Sequence, residues 1–169
     1  PDETLEESQK AIDEIKKGDN TVPTLYSSNQ YIYADGKNEG YRHKEVQKTD
    51  LISHMTKNTI AGCTFVFNKA LAQLISKAER PDSRIIEYRL HDSWLMLVAI
   101  VCGRVIYDDD SYMLYRIHAE NGVGIKNVSV SEKMHRLTRM FNKRTSNIRM
   151  ITANELLRLF PIMDNNDKR

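Results

Sequence analysis

The sequence feature that most constrains the fold is a segment that is apolar on every side, Ser93 to Cys102. Its uninterrupted apolar stretch, Trp94 to Cys102, is nine residues long, whereas a helix that crosses a bilayer needs about 20 apolar residues. A membrane span is therefore not expected. A helix without a polar face must instead be buried on all sides, and Gly103 is expected to end it. Such a helix requires other layers of structure around it.

Size and composition set the class of protein. The chain has 169 residues, of which 40% are hydrophobic and 28% charged, as expected of one globular domain. Cys63 and Cys102 are 39 positions apart, which is neither a metal-ligand spacing nor a disulfide framework. We therefore expect two buried thiols in a reducing compartment and exclude a secreted disulfide scaffold.

The beginning of the chain, Pro1-Asp2-Glu3, has neither an initiator methionine nor a basic and apolar leader. It is not a signal peptide, so the expected location is cytoplasmic. It also predicts that the chain is a piece of a longer protein.

Strand and helix signals alternate along the first half and predict an α/β layered domain. The expected elements are a helix over residues 4–17 with Leu5, Ala11, Ile12 and Ile15 on one face, a strand Thr24–Tyr33, a turn at Asp35-Gly36 and a short helix Leu51–Lys57 capped by Thr49-Asp50. The continuous apolar run Ile60–Phe67 predicts a strand. Asn68 then caps a helix whose inward positions are Leu71, Leu74, Ile75 and Ala78.

The second half continues this alternation. The expected elements are a polar loop around Pro81-Asp82, the buried helix Ser93–Cys102, a strand Arg104–Tyr107, an acidic turn Asp108–Asp110, a strand Tyr112–Ile117 and a loop at Asn121-Gly122. Ser129 with Glu132 and Thr152 with Glu155 each match the capping-box pattern and predict two further helices. Their inward residues are expected to be Met134, Leu137 and Phe141, and then Leu156, Leu157 and Phe160.

Charge is concentrated at the two ends of the chain. Residues 1–20 hold seven acidic and three basic side chains, whereas residues 125–169 hold ten basic and four acidic ones, a net charge of +6. A solvated surface is the simplest interpretation of this basic extension, and peripheral contact with the inner face of a membrane or with another anionic partner is the alternative. Nucleic acid is not expected as a partner, because aromatic residues are not interleaved and no nucleic-acid motif is present.

His91-Asp92-Ser93-Trp94 leads directly into the apolar helix. An aspartate at this position is most simply an N-cap. The same position aims a carboxylate rigidly, which suits a general base that accepts a proton as an acceptor oxygen attacks. The two interpretations are compatible, and both stay open here.

Tyr115-Arg116-Ile117-His118 is expected at the end of a strand. Because side chains alternate along a strand, Arg116 and His118 should project from one face. Together they would form a clamp for phosphate oxygens, with His118 also able to bind a metal. The alternative is a surface arginine and a histidine satisfied by its neighbours.

Three segments in this order resemble the C-terminal part of the catalytic domain of family 2 glycosyltransferases, inverting enzymes with a GT-A fold. Asn58 to Asn68 is similar to the family's N-x-I-x-G-C-x-x-x-F-N strand, His91 to Leu95 to its H-D-x-W acceptor motif, and Tyr115 to Gly124 to its Y-R-x-H-x-x-N-x-x-G element. Residues 1–17 resemble the helix after the family's metal-binding D-x-D-D-x-W segment. The resemblance covers residues 1–124 and is greatest to the subgroup that makes bacterial surface polysaccharides, including rhamnosyltransferase-like members.

The resemblance implies an α/β fold that is a partial GT-A (nucleotide-diphospho-sugar transferase-like) fold, with a mixed sheet flanked by helices and without its N-terminal nucleotide-binding half. Residues 1–124 would be its acceptor-side part, and residues 125–169 a basic helical extension. The full-length protein would transfer a sugar from a nucleotide-sugar donor to a hydroxyl of a glycan acceptor, with inversion, in polysaccharide biosynthesis.

The resemblance also assigns roles to single residues. Asp92 would be the general base, and Gly62, Cys63, His91 and Trp94 would bind the acceptor, although Trp94 could equally pack in the core. Arg116 and His118 would lie near the diphosphate and metal of the donor, where they offset the negative charge of the leaving group.

One part of the family pattern is not matched. The D-x-D motif lies upstream of these segments, so the divalent Mg or Mn ion belongs to the full-length protein, and none is expected tightly bound to this chain, which alone is not expected to be active. Asp108–Asp110 is expected to be a solvated turn, and a metal site at these carboxylates is the alternative. An exposed sheet edge predicts self-association. The alternative functions are a non-catalytic glycan- or protein-binding module on the same scaffold and, resting only on the basic extension, a nucleic-acid adaptor.

Overall fold

A computed structural model describes residues 2–34, 36–116 and 147–161, with the side chains of residues 2–5 and 7 left undescribed. The chain is an α/β structure in which helices flank a mixed, open, four-stranded sheet. The helices are α1 Asp2–Lys16, α2 Leu51–Thr56, α3 Lys69–Lys77, α4 Ser83–Cys102 and α5 Ile148–Leu159, and the strands are β1 Thr24–Ala34, β2 Lys37–Tyr41, β3 Val66–Phe67 and β4 Arg104–Arg116. No helix in these residues is long and apolar enough to cross a membrane.

Strand β1 is the centre of the sheet. Strand β4 pairs with it in parallel along its whole length. On the other edge, β3 pairs antiparallel at Leu25 and Tyr26, and β2 pairs antiparallel from Tyr31 to Ala34. With neighbours on both edges and helices on both faces, β1 is buried from Thr24 to Gln30, including the polar run Ser27 to Gln30.

The two faces of the sheet carry different cores. The larger core lies between the sheet and helices α3, α4 and α5, and its fully buried members include Leu25, Leu71, Ile85 and Leu97. We call this side of the sheet the α4 face. On the opposite side, the α1 face, a smaller cluster consists of Ala11, Ile15 and Tyr26, with Val66 and Ile106 against it.

Several predicted elements are confirmed. Helix α1, strand β1, helix α2 and helix α3 lie within a few residues of their expected bounds. Asp50 caps α2 by accepting from the Ser53 N–H, and Asn68 caps α3 by accepting from the Leu71 N–H. Gly103 ends α4 as expected, and the helix is buried from Ser93 to Ala99 except at half-buried Leu95. The layered α/β class is therefore confirmed.

The strand predicted over Ile60–Phe67 is wrong over most of its length. Residues Gly62–Thr64 form a 3₁₀ turn, and only Val66 and Phe67 pair with β1. The Thr64 hydroxyl lies 2.6 Å from the Ser27 hydroxyl and also donates to the Ala61 carbonyl. These side-chain bonds hold the turn against the sheet, and an apolar run alone does not reveal them.

The turn predicted at Asp108–Asp110 is also wrong. These residues lie inside the single strand β4, where the register against β1 shifts between Asp108 and Ser111. The irregularity is a bulge rather than a chain reversal. Asp108 is held by the Tyr26 hydroxyl and by the Lys10 ammonium group, so tertiary contacts keep an acidic triplet within a strand.

The helical boundaries near the ends of α4 and α5 differ from the prediction. Helix α4 begins at Ser83, capped by Asp82, in a segment predicted as a polar loop. Helix α5 begins at Ile148, so Thr152 is buried inside it and bonds to the Ile148 carbonyl instead of forming a capping box with Glu155. Glu155 instead accepts from the Asp82 N–H and pairs with Arg158.

Four residues are less buried than predicted. Ile12, Leu157 and Cys63 are exposed, and Cys102 is half-buried. Both cysteines are free thiols. Ile117, His118, the loop at Asn121-Gly122 and the helix beginning at Ser129 with its inward residues lie outside the described residues.

Candidate functional site

Asp92 is held by one backbone N–H on each carboxylate oxygen. Its Oδ1 accepts from the Ser93 N–H at 2.7 Å, and its Oδ2 accepts from the Gly62 N–H at 3.3 Å. The first bond fixes the carboxylate on the helix, and the second fixes it against the 3₁₀ turn. The side chain is half-buried. Because each carboxylate oxygen has two lone pairs, both oxygens keep one for a ligand.

The contact between Asp92 and Gly62 requires glycine. A Cβ atom built on Gly62 would lie 2.5 Å from the Asp92 Cβ, closer than side chains approach one another. The turn and the helix can therefore lie this close together only because Gly62 has no side chain. The structure thus brings together two residues from different sequence motifs, Gly62 of the strand-like motif and Asp92 of the helix motif.

Helix α4 contains a strained residue immediately before this site. Leu90 has φ 67° and ψ 162°, a backbone region that residues other than glycine rarely occupy. It divides α4 into an outer segment, Ser83 to Arg89, and an inner segment that begins at His91 and is mostly buried from Ser93 onward. The Leu90 side chain is 44% exposed, so burial of its own side chain does little to offset the strain.

Both flanks of this kink are anchored. On the outer side, the Arg89 guanidinium donates to the carbonyls of His54 and Met55 at the end of α2. Burial lowers the pKa of Arg89 below its usual value, and repulsion from the positive charge of Arg149 lowers this pKa further. On the inner side, Asp92 is bound to Gly62. The strain at Leu90 is therefore maintained by contacts that place His91 and Asp92.

A second polar group lies next to Gly62 on the α4 face. The Gln30 side-chain amide is buried and directs its Nε2 toward the Cys63 Sγ at 3.1 Å and the Met113 Sδ at 3.5 Å. Its Oε1 accepts from Arg42 Nη1 at 2.6 Å. Contacts thus lead from Asp92 to Gly62, and from the next residue, Cys63, through Gln30 to Arg42.

The position of Arg42 is set by the sheet. Its N–H donates to the Gln30 carbonyl at 2.7 Å, and its guanidinium carbon lies 5.1 Å from the centre of the Tyr115 ring. The next residue, His43, bonds through Nε2 to the Thr59 carbonyl and through its backbone to Asn29. Burial lowers the pKa of His43, and the neighbouring positive charge of Arg42 lowers it further.

Arg116 lies on the other face of the sheet. Its guanidinium carbon is 5.8 Å from the centre of the Tyr33 ring, whereas the preceding Tyr115 contacts Arg42. Consecutive side chains of a strand point to opposite faces, so Tyr115 belongs to the α4 face and Arg116 to the α1 face. The structure therefore does not bring Arg116 to Asp92. Its expected companion His118 lies outside the described residues.

The two other candidate residues of this motif, His91 and Trp94, lie in different environments. His91 is exposed. Trp94 is 7% exposed and packs with its ring 6.3 Å from that of Phe160. Of the two roles left open for Trp94, the structure supports packing in the core.

The described residues do not fit a metal ion. They contain no group of three or more histidine, cysteine, aspartate or glutamate side chains that could hold one. Asp108 is committed to Lys10 and Tyr26, and Asp109 and Asp110 are exposed. A cleft of about 480 Å³ lies beside the bulge and β2, lined by Asn29, Glu39, Gly40, Tyr41, His43, Lys44, Glu45, Val46, Asp109 and Asp110, and does not include Asp92.

Gln30 and Arg42 were not identified from the sequence. The signal that could have found Gln30 is the polar run Ser27 to Gln30 inside a strand that is buried on both faces. Buried polar side chains require partners, so such a run predicts a hydrogen-bond network. Nothing in the local sequence links Arg42 to that network.

Comparisons of the chain with protein-family models, with curated proteins and with solved structures found no match. No family is assigned to the chain on that basis.

Proposed function

We propose that this chain is the acceptor-binding part of an inverting glycosyltransferase with a GT-A fold, in which Asp92 is the general base. The full-length protein would transfer a sugar from a nucleotide-sugar donor to a hydroxyl of a glycan acceptor. The observation that carries the proposal is the carboxylate of Asp92, fixed by the N–H groups of Gly62 and Ser93 and half-buried beside a turn in which Cys63 is exposed.

The chemistry follows from this arrangement. In an in-line displacement, the acceptor oxygen forms a bond to the anomeric carbon while the bond from that carbon to the donor diphosphate breaks. The acceptor hydroxyl loses its proton as the new bond forms, and Asp92 takes it. A carboxylate held in position on two sides suits this role, because proton transfer depends on geometry first.

Other residues of the site supply binding rather than proton transfer. Gly62 allows the turn to approach the carboxylate, and exposed Cys63 and His91 border it. The divalent metal implied by the resemblance has no ligand set among the described residues, so no step is assigned to it here. We also propose that the basic extension contacts a membrane, and the only support for this contact is the charge of the extension.

The direct test is Asp92→Asn in the full-length protein. Asparagine has the same shape and keeps one acceptor oxygen, so the fold and donor binding should persist. Loss of general-base help should lower the transfer rate about 10²- to 10⁴-fold. Transfer would be measured with radiolabelled donor and donor binding by calorimetry.

A matched control is Asp109→Asn, which removes an exposed carboxylate from the β4 bulge and should leave transfer unchanged. Near-normal transfer by the Asp92 variant would refute the assignment of the base. A wild-type protein that binds glycan but transfers no sugar from any donor would instead favour a non-catalytic binding module.

A further inference from the structure

Arg42 is a half-buried cation without an anionic partner in the part of the chain that the structure describes. The salt bridges found there involve Lys10, Lys17, Arg84 and Arg158, and none involves Arg42. A charge that is partly removed from water is costly unless an opposite charge or good hydrogen bonds compensate it. The side-chain Oε1 of Gln30 supplies only one such bond.

The guanidinium is nevertheless held in a fixed orientation. Gln30 binds one of its nitrogens, and Gln30 itself is 2% exposed and positioned by two sulfur atoms. The Tyr115 ring lies beside the guanidinium, and the Arg42 N–H is anchored to β1. A guanidinium has five N–H donors, and only one nitrogen is engaged by the described residues. The remaining donors form a planar fork that matches the two oxygens of a carboxylate or phosphate.

The position of this fork relates it to the candidate site. On the α4 face, Gln30 contacts both Arg42 and Cys63, and Cys63 directly follows the glycine that binds Asp92. The charge of Arg42 also acts on its surroundings, because it contributes to the lowered pKa of His43. An anion bound at Arg42 would therefore lie on the same face as the carboxylate of Asp92.

We propose that Arg42 is a binding residue for an oxyanion, either a carboxylate or a phosphate group, carried by a ligand of the α4 face. That the ligand is a sugar substrate rests on the proposed function, whereas oxyanion binding itself does not. The group has two sources that share this chemistry, the carboxylate of an acidic sugar in the acceptor and the phosphates of the donor.

The test measures binding of glucuronate and of inorganic pyrophosphate to the full-length protein by calorimetry. Arg42→Met should weaken binding of one of the two about 10- to 100-fold, the range for hydrogen bonds to a charged group. Arg42→Lys keeps the charge without the fork and should weaken binding less. Lys44→Met, which removes an exposed lysine two residues away, should leave binding unchanged.

A measurement on the unaltered protein removes any dependence on how the variants fold. The anion should slow modification of Arg42 by phenylglyoxal, read by peptide mass spectrometry, without slowing modification of exposed Arg80. Glucuronate protection identifies the acceptor as the source, and pyrophosphate protection identifies the donor. Absence of protection by both anions, or equal weakening by the Lys44 and Arg42 variants, would overturn the proposal. Because these readouts do not involve sugar transfer, their failure is distinct from failure of the Asp92 test.

Discussion

Two groups of charged residues, one on each face of the sheet, are held in opposite ways. On the α1 face, Lys10 lies 2.7 Å from Asp108 and 3.2 Å from Asp110, and it donates to the Tyr112 hydroxyl. The Tyr26 hydroxyl donates to the same Asp108 oxygen. These charges satisfy one another and fasten α1 to the bulge of β4.

On the α4 face, two charged groups, Asp92 and Arg42, are held by neutral groups. Backbone N–H groups of Gly62 and Ser93 orient Asp92, and the Gln30 amide orients Arg42. Neither charge has an ionic partner among the described residues, although each is half-buried. The comparison indicates that the charges of the α1 face hold α1 to the sheet, whereas Asp92 and Arg42 on the α4 face are fixed without an ionic partner, as the ligand-binding roles proposed for them require.

Among substitutions that test this contrast, Gly62→Ala on the α4 face is expected to have the largest effect. The new methyl group would meet the Asp92 Cβ at 2.5 Å, so the turn or the helix must move. We expect the free energy of unfolding to fall by about 1–3 kcal/mol from overpacking. Because small misplacements of a catalytic group are costly, transfer should fall about 10- to 100-fold. Thermal unfolding and a transfer assay check the two effects.

Gly18→Ala is the matched control, because the atoms nearest to its methyl group would be those at the end of the flexible Arg104 side chain. If the Gly62 variant transferred sugar at the wild-type rate, the close contact with Asp92 would have no role in the function.

The next effect concerns Lys10→Met on the α1 face. Removing the ammonium group from Asp108 should lower the free energy of unfolding by about 1 kcal/mol, since the lysine is partly exposed, and should leave transfer unchanged. A clear loss of transfer without loss of stability would contradict the division between the two faces.

The pH dependence of the Lys10 variant provides a second measurement. Burial tends to raise the pKa of Asp108, but the hydrogen bonds from Lys10 and Tyr26 outweigh it and hold the pKa below the ordinary 3.8. A depressed carboxyl pKa stabilises the fold above the unfolded-state pKa, and this contribution is lost as the pH falls through the folded-state pKa. The difference in Tm between wild type and variant should therefore be largest above about pH 4 and should shrink in more acidic solution.

The smallest expected effect is that of Leu90→Gly at the kink in α4. Glycine relieves the strain at φ 67° but adds freedom to the unfolded chain, so stability should rise by up to about 1 kcal/mol. A more flexible kink should at the same time lower transfer a few-fold, because Asp92 is less firmly placed. Leu90→Ala keeps the strained backbone and should give no gain in stability. A Leu90→Gly protein that loses stability would show that the backbone conformation is not strained.

Local sequence predicted the elements that are stabilised by local contacts. Asp50 and Asn68 cap helices that begin next to them, and Gly103 ends a helix whose last nine residues, Trp94 to Cys102, are apolar. The same reasoning failed at Gly62–Thr64 and at Asp108–Asp110. In both places, the conformation depends on residues far away in the sequence, Ser27 and Asp92 in the first case, Tyr26 and Lys10 in the second.

The candidate site divides in the same way. The sequence singled out Gly62 and Asp92 by resemblance, and the structure places them in contact. It also singled out Arg116 for the same site, near the donor diphosphate, yet strand alternation and the contact with Tyr33 place Arg116 on the α1 face. The cation found near the site is Arg42, which the sequence did not suggest.

The sequence by itself determined that this chain folds as α/β layers around a helix buried on nearly every side, because apolar patterning and capping residues act over a few neighbouring positions. Only the tertiary structure decided which charges meet. The pairing of Lys10 with Asp108 and the adjacency of Arg42 to Gln30 depend on how the strands align across the sheet, and hydrogen bonds between distant segments fix that alignment.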